Sequence, residues 1–465
     1  SPEKYDDEFD QMSVTLSGSI NDNLDVILTS SIFERDTAYT YDYASYVEYY
    51  AYAAYPSYVC DYYDYYYYGN VSNCRDPRMT YAQTNDIERT ATEFRIQSNN
   101  DSGFNWILGA FKETNEKVTD VDYLQPGSTN PIFWEADLVR KGDIDAIFGE
   151  AYFDLSEKTS LTMGLRKYDQ TMDLKASDGY YGSYAFGINS LDFNSSETGS
   201  IPKLSISHDI SDDIMVYGSY SEGFRPSGVN RPRPSQAGLI PETYDPDYLD
   251  SYEIGVKSSL KDGRLILNGA LYKMDWTDYQ TSTYDTDITS VAYTENVGNA
   301  EINGMELNLM YAISDTADMT LYVNKMDPTL SEDYYYTSGE LGADAGNRLA
   351  YMPELTYYLS FDKDFVFMGK PAYMNIDYSH TGERYTTYEN GGILLPSYSM
   401  SNLRAGIDND NSSIELYVTN LFDKDAYLSR YDDFESVGSS GYSGFGIRRT
   451  GSKPRVIGIR IRYRY

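Results

Sequence analysis

The chain closes on Pro454-Arg455-Val456-Ile457-Gly458-Ile459-Arg460-Ile461-Arg462-Tyr463-Arg464-Tyr465, and this stretch decides how the rest is read. Successive side chains of an extended strand point to opposite faces. Ile457, Ile459, Ile461, Tyr463 and Tyr465 therefore share one face, and Arg460, Arg462 and Arg464 share the other. One face suits hydrocarbon and the other suits water. A half-buried strand of a soluble sheet has the same period of two. Two features favour a membrane strand: the aromatic pair sits where an interfacial girdle belongs, and the chain stops on an aromatic residue, as bacterial outer-membrane barrels do. On that reading Ile461, Tyr463 and Tyr465 also form part of the signal taken up by the barrel-assembly machinery.

The remaining sequence extends the pattern. The 465 residues hold 51 tyrosines and 15% aromatics, but two cysteines and two histidines, a composition that prefers strands. Tyr252 to Asp275 reads as a hairpin, SYEIGVKSSL and LILNGALYKMD around the turn signal Lys261-Asp262-Gly263-Arg264. INGMELNLMYAI and MTLYVNKMD flank a Ser-Asp-Thr-Ala-Asp turn, and SNLRAGID and SIELYVTNLF flank Asn-Asp-Asn-Ser. Between hairpins, long polar segments recur at Ala176 to Ser200, Ser227 to Tyr248 and Asp327 to Arg348. Short turns alternating with long loops predict an all-β, antiparallel up-and-down β-barrel that crosses the outer membrane. At about 25 residues per strand the chain supplies roughly 16 to 18 strands. The mean hydropathy of −0.54 does not oppose this, because only alternate residues of a barrel strand meet lipid.

The formal charge of −35 repels phosphate backbones and excludes a nucleic-acid partner, while leaving room for cations. Cys60 and Cys74 lie in a Tyr/Asp/Asn-rich segment with thirteen residues between them. A local disulfide suits an oxidising compartment and would contribute about 3 kcal/mol; two free thiols are the alternative. No secretion signal is visible, since Ser1 opens directly into SPEKYDDEFD.

Several segments, in order, resemble the barrels of TonB-dependent receptors: YGSYSEGFRPSGVN from Tyr217, YLDSYEIGVKSSLKDGRLILNGALYKMDWTDYQ from Tyr248, NVGNAEINGMELNL from Asn296, NRLAYMPELTYYLS from Asn347 and YVTNLFDKDAY from Tyr417. The resemblance runs from about Thr92 to Tyr465. It implies an outer-membrane receptor that captures a scarce nutrient at its outer loops, a ferric siderophore first, cobalamin or a glycan next. Proton-motive force would arrive through TonB and a plug. Neither plug nor energy-coupling box is visible, so residues 1–465 are expected to be the C-terminal strands of a 22-stranded barrel, either as the remainder of a longer protein or as a truncated, plugless relative. Outer-membrane lipid and lipopolysaccharide are the expected surroundings.

Within that frame, Arg225, Arg231 and Arg233, with Asn230 among them, make a basic loop that would orient an anionic or oxygen-rich siderophore. The alternative is that Arg225 is a structural residue and the others pair with loop acids. The segment Tyr41 to Tyr68 holds fourteen tyrosines, among them Tyr62, Tyr63, Tyr65 and Tyr66, whose rings and hydroxyls suit stacking on a flat ligand or a sugar. Packing on neighbouring loops or lipopolysaccharide, or display to a partner protein, are competing readings. The latter belongs to a second hypothesis, a plugless channel or structural surface protein. Asp6-Asp7-Glu8 and Asp245, Asp247 and Asp250 are candidates for loop-bound Ca²⁺, against simple solvated charge. Gly298 and Gly304 bracket a stretch where backbone must bend or approach closely, and Asn420 and Asp423 satisfy a turn. His208 and His380 lack a nucleophile or orienting partner in sequence, so no enzyme, catalytic residue, resident cofactor or metal centre is expected.

Overall fold

The computed structural model describes residues 3–42, 80–100, 102–124, 132–180, 189–230, 240–283, 293–336, 338–409, 411–431 and 448–463. Seventeen strands form one sheet: Lys4–Asn21, Leu24–Asp42, Thr80–Ser98, Phe104–Leu124, Ile132–Ser156, Thr159–Tyr180, Asn189–Ser211, Ile214–Arg225, Asp247–Leu260, Leu265–Thr277, Ala300–Ser314, Ala317–Leu330, Leu355–Phe367, Lys370–Thr381, Tyr398–Asn409, Ser412–Thr419 and Val456–Tyr463. Each pairs antiparallel with the next, from Lys4↔Thr40 at one edge to Ser412↔Tyr463 at the other. Among the described residues there is no helix. Short turns such as 157–158, 212–213 and 315–316 alternate with long connections such as 226–246, 278–299 and 331–354. The first seven strands run 18 to 25 residues and outreach the hydrocarbon layer, which needs about 9 to 11.

The turn around Gly263 forms where the sequence places it: Lys261, Asp262 and Gly263 take φ of 55°, 56° and 82° between Leu260 and Leu265, which pair. The segment Ala176 to Ser200 does not form a loop throughout. Strands continue through it, pairing as far as Asp178↔Asn189. Its Ser, Asn and Asp residues carry turn chemistry, but a strand that projects beyond lipid can be polar on both faces.

The two faces differ. Near the short turns one face presents Leu16, Leu28, Phe94 and Ile147, all exposed, with Leu16↔Leu28↔Phe94 in one cross-strand row. Farther along the same face the apolar row gives way to Asp10↔Glu34↔Glu88↔Glu116, four carboxylates in register. The opposite face is polar and, toward the long connections, buried under them. Val121, Trp134 and Ala136 form one small core there, and Leu174, Ala176 and Val229 another. We call this the inner face. The last strand conforms: Ile457, Ile459 and Ile461 are 66%, 69% and 71% exposed on the outside, while Arg460 pairs inside with Glu415 at 2.9 Å.

Inner-face tyrosines lie over glycines of the neighbouring strand. A Cβ on Gly255 would come within 2.6 Å of the Tyr217 ring, one on Gly406 within 2.8 Å of Tyr373, and one on Gly304 or Gly458 would fall inside the rings of Tyr272 or Tyr417. Each glycine is the direct cross-strand partner of its tyrosine, so a ring shields backbone that has no side chain of its own. Gly304 is thus a site of close approach, and Gly298 supplies a bend at φ 92°.

Candidate functional site

Five two-stranded ribbons grow from the long connections between residues 226 and 451, and they gather toward the inner face. Their partners are Gly228–Val229 with Thr243–Tyr244, Gln280–Thr283 with Tyr293–Asn296, Tyr334–Tyr335 with Leu341–Ala343, Arg384–Tyr385 with Leu394–Leu395, and Tyr427–Tyr431 with Arg448–Gly451. Beneath three of them Tyr272, Val297, Ala300, Ile302, Leu330, Tyr334, Ala343, Leu349 and Tyr388 form the largest buried cluster described. Apolar burial at the roots of the connections, and not within the wall, fixes their position.

Asp247 is the hinge post of this assembly. It is 1% exposed and accepts from Arg225 Nε at 3.0 and 2.9 Å, from Arg225 Nη2, from Trp276 Nε1 at 2.9 Å and from the Gln280 amide at 3.0 Å. Arg225 also donates to the Gln280 carbonyl at 2.6 Å and stacks 4.9 Å from the Trp276 ring. Its side chain remains half exposed. A buried carboxylate is tolerated here because the Arg225 guanidinium and backbone amide, the Trp276 indole and the Gln280 amide all donate to it. Gln280 extends the hub, its amide donating to the carbonyls of Pro226 and Asp245 at 2.9 and 2.7 Å. Two connections, 226–246 and 278–299, are thereby fixed to one strand end.

Asn230 is a clasp. Its side-chain amide donates to the carbonyls of Pro241 and Thr294 at 2.8 and 2.7 Å and accepts from the Thr294 amide at 2.7 Å. The structure brings Arg225 and Asn230 into one loop assembly but spends most of their polar atoms on the protein itself. Arg231, Arg233, Tyr62, Tyr63, Tyr65, Tyr66, Cys60, Cys74 and Tyr465 lie outside the described residues.

The acidic candidates separate. Asp6, Asp7 and Glu8 belong to a strand, where Asp7 turns inward onto Arg35 at 2.9 and 2.7 Å, away from its neighbours. Asp250 accepts from Tyr220 at 2.7 Å, while Asp247 is committed to the hub. Neither triplet converges, and among the described residues no three His, Cys, Asp or Glu side chains gather as a metal centre would require. His208 contacts Thr159 Oγ1 at 2.9 Å, and His380 contacts Ser399 Oγ at 2.9 Å while stacking on Tyr357.

Sequence reasoning missed two arginines. Arg384 is 5% exposed, donates through Nη2 to the carbonyls of Tyr427 and Leu428 at 2.8 Å each and covers Tyr398. Arg348 bridges Glu354 and Glu383 and covers Tyr385. Together they tie the 331–354, 382–397 and 420–455 connections together. Both flank segments rich in Asn, Gly and Tyr, which announce loops but not their anchors.

A family profile described as "TonB dependent receptor-like, beta-barrel" matches residues 2–421. Among curated proteins, the metal-pseudopaline receptor CntO of Pseudomonas aeruginosa is 23% identical over 336 residues, 70% of this chain and 44% of the relative. The ferric-pyoverdine 358 receptor of Pseudomonas putida is 23% identical over 389 residues, 78% of this chain and 41% of the relative. The chain thus spans less than half the length of these relatives. Among solved structures, the ferric yersiniabactin uptake receptor FyuA from Yersinia pestis superposes with a TM-score of 0.73 at 16% identity, over 97% of this chain and 61% of that one. The siderophore receptor PiuA from Acinetobacter baumannii gives 0.68 at 15%, over 99% and 65%. Long polar loops on one side, short turns on the other and an apolar outer band agree with that fold. The chain belongs to the TonB-dependent receptor family and forms β-barrel wall in the bacterial outer membrane.

Proposed function

We propose that this wall belongs to a receptor that imports an iron–siderophore complex, with energy delivered by TonB through a plug. The observation that carries the reading is the inward-gathered loop assembly: Arg225 keeps half of its side chain exposed while anchored to Asp247, beside the aromatic rings of Trp276 and Tyr279. Such a surface offers a fixed cation and flat faces to an oxygen-rich chelate. The names of the ferric-pyoverdine and ferrichrome relatives point to the same ligand class. Arg231, Arg233 and tyrosines 62, 63, 65 and 66 are proposed to extend this surface.

Uptake of ⁵⁵Fe bound to hydroxamate, catecholate and carboxylate siderophores, in a deletion strain with and without the gene, tests the proposal. Loss of one class on deletion is expected. Iron uptake unchanged by deletion, with altered permeability to small solutes, would favour the plugless-channel reading.

We further infer that the seventeen strands are one part of a larger barrel. In an antiparallel meander the first and seventeenth strands run in the same direction. Antiparallel closure therefore requires an odd number of strands between them, as a 22-stranded barrel would supply.

A further inference from the structure

Three ribbons meet at a knot of side-chain oxygens beside the largest buried cluster. Thr283 and Glu295 come from the 278–299 connection, Tyr334 from 331–354, and Tyr388 and Glu389 from 382–397. Thr283 Oγ1 lies 3.0 Å from Glu389 Oε1 and 3.4 Å from the Tyr334 hydroxyl, which itself bonds to Glu295 Oε1. Thr283, Glu295, Tyr334 and Tyr388 are all buried.

The protons do not suffice for these contacts. A carboxylate brings none and each hydroxyl brings one, so two protons serve three oxygen–oxygen contacts. However the hydroxyls turn, one contact sets lone pair against lone pair. Tyr388 adds an independent sign. Its side chain is 2% exposed, its hydroxyl has no hydrogen-bond partner, and it lies within electrostatic reach of Glu389 and Glu295, its ring 5.9 Å from that of Tyr334. Burial holds this phenol well above its ordinary pKa, so it enters the knot as a neutral oxygen. A buried hydroxyl left without a partner is costly as it stands, and its oxygen, within electrostatic reach of two carboxylates, is favourably placed around a positive ion.

We propose that Thr283, Glu295, Tyr334, Tyr388 and Glu389 form a binding site for a hard divalent cation, Ca²⁺ in the first instance, that fastens three surface connections into one cap. All donors are oxygens, two are carboxylates, and the irregular set spread over three connections suits the flexible shell of Ca²⁺ better than the octahedron of Mg²⁺. The net charge of −35 raises the local concentration of cations around it. This site is independent of which nutrient the receptor carries.

Hydrogen exchange on the intact receptor, stripped with EDTA in detergent micelles and titrated with CaCl₂ or MgCl₂, decides the matter. Peptides spanning residues 280–296, 334–343 and 384–395 should exchange about tenfold more slowly when Ca²⁺ stands at ten times its Kd, with a Kd of about 10⁻⁴ to 10⁻³ M. Glu295→Gln and Glu389→Gln should abolish the slowing, and Tyr388→Phe, which keeps the ring, should raise the Kd about fivefold. Heat-modifiable migration on gels shows which variants keep the barrel folded. If only Tyr388→Phe folds, its Kd alone decides, and an unchanged value overturns the site. Absence of any Ca²⁺ response in the unmodified receptor overturns the proposal, as does full slowing retained by both glutamine variants, which would place the ion elsewhere on the acidic wall.

Discussion

At the scale of residues, Asp247 shows how a single carboxylate organises a receptor surface. Its cost of burial is met by Arg225, Trp276 and the Gln280 amide together, so the partners are not interchangeable. Arg225→Met strands a buried negative charge and should cost about 3 to 5 kcal/mol. Asp247→Asn keeps an acceptor and leaves Arg225 free to face water, so it should cost less. Pulse proteolysis in urea gives both midpoints, and the reverse order would contradict the hub. Gly304→Val is a separate case, because the new side chain must displace the Tyr272 ring from its cross-strand seat; overpacking of this kind costs about 1 to 3 kcal/mol. A midpoint equal to the parent would show the ring is free to move. Arg225, Asn230, Gly298 and Gly304 all stand out in the sequence. Their partners do not, since Asp247 to Trp276 is 29 residues and Asn230 to Thr294 is 64, distances that only the meander closes.

At the scale of elements, the last strand was the most legible because its two faces meet the most different solvents. Ile459 sits at its centre and is 69% exposed on the outer face, while Arg460 one step along is paired with Glu415 and covers Tyr417. Ile459→Lys should therefore destabilise the barrel by about 2 to 4 kcal/mol, the range for a cation at the bilayer midplane. Folding titrations in phospholipid vesicles measure it; a change below about 0.5 kcal/mol would mean the strand does not face lipid there. Legibility fails where the solvent contrast disappears. Asn189–Ser211 is 23 residues long, and its outer half is mostly Ser, Asn, Asp and Glu, with only Leu191 and Phe193 turned onto the Leu174, Ala176 and Val229 core. Two apolar side chains among so many Ser, Asn and Asp residues make a faint period of two, and turn-forming residues in a paired strand look like a loop. The knot around Thr283 and Tyr388 was equally silent, because it joins three segments whose own chemistry is that of ordinary loops.

At the scale of the whole molecule, the open question is how the sheet closes. Among the described residues Lys4–Asn21 pairs only with Leu24–Asp42, and Val456–Tyr463 only with Ser412–Thr419. An 18-residue strand with one bare edge exposes a row of unpaired amides and carbonyls, and in hydrocarbon each such group costs several kcal/mol. Leu16, Met12 and Val14 on this strand are apolar and exposed, so at least part of that edge lies at lipid depth. An open edge at that depth is not viable, which is why an odd number of intervening strands is proposed. The consequence is measurable amide by amide. On Lys4–Asn21 alternate N–H groups point toward Leu24–Asp42 and the others point away. If the barrel closes on this edge in the intact receptor, both sets exchange slowly, with protection factors within about tenfold of each other. If the outward set exchanges at the rate of a solvent-exposed strand while the inward set stays protected, the edge is open and the closed-barrel proposal fails.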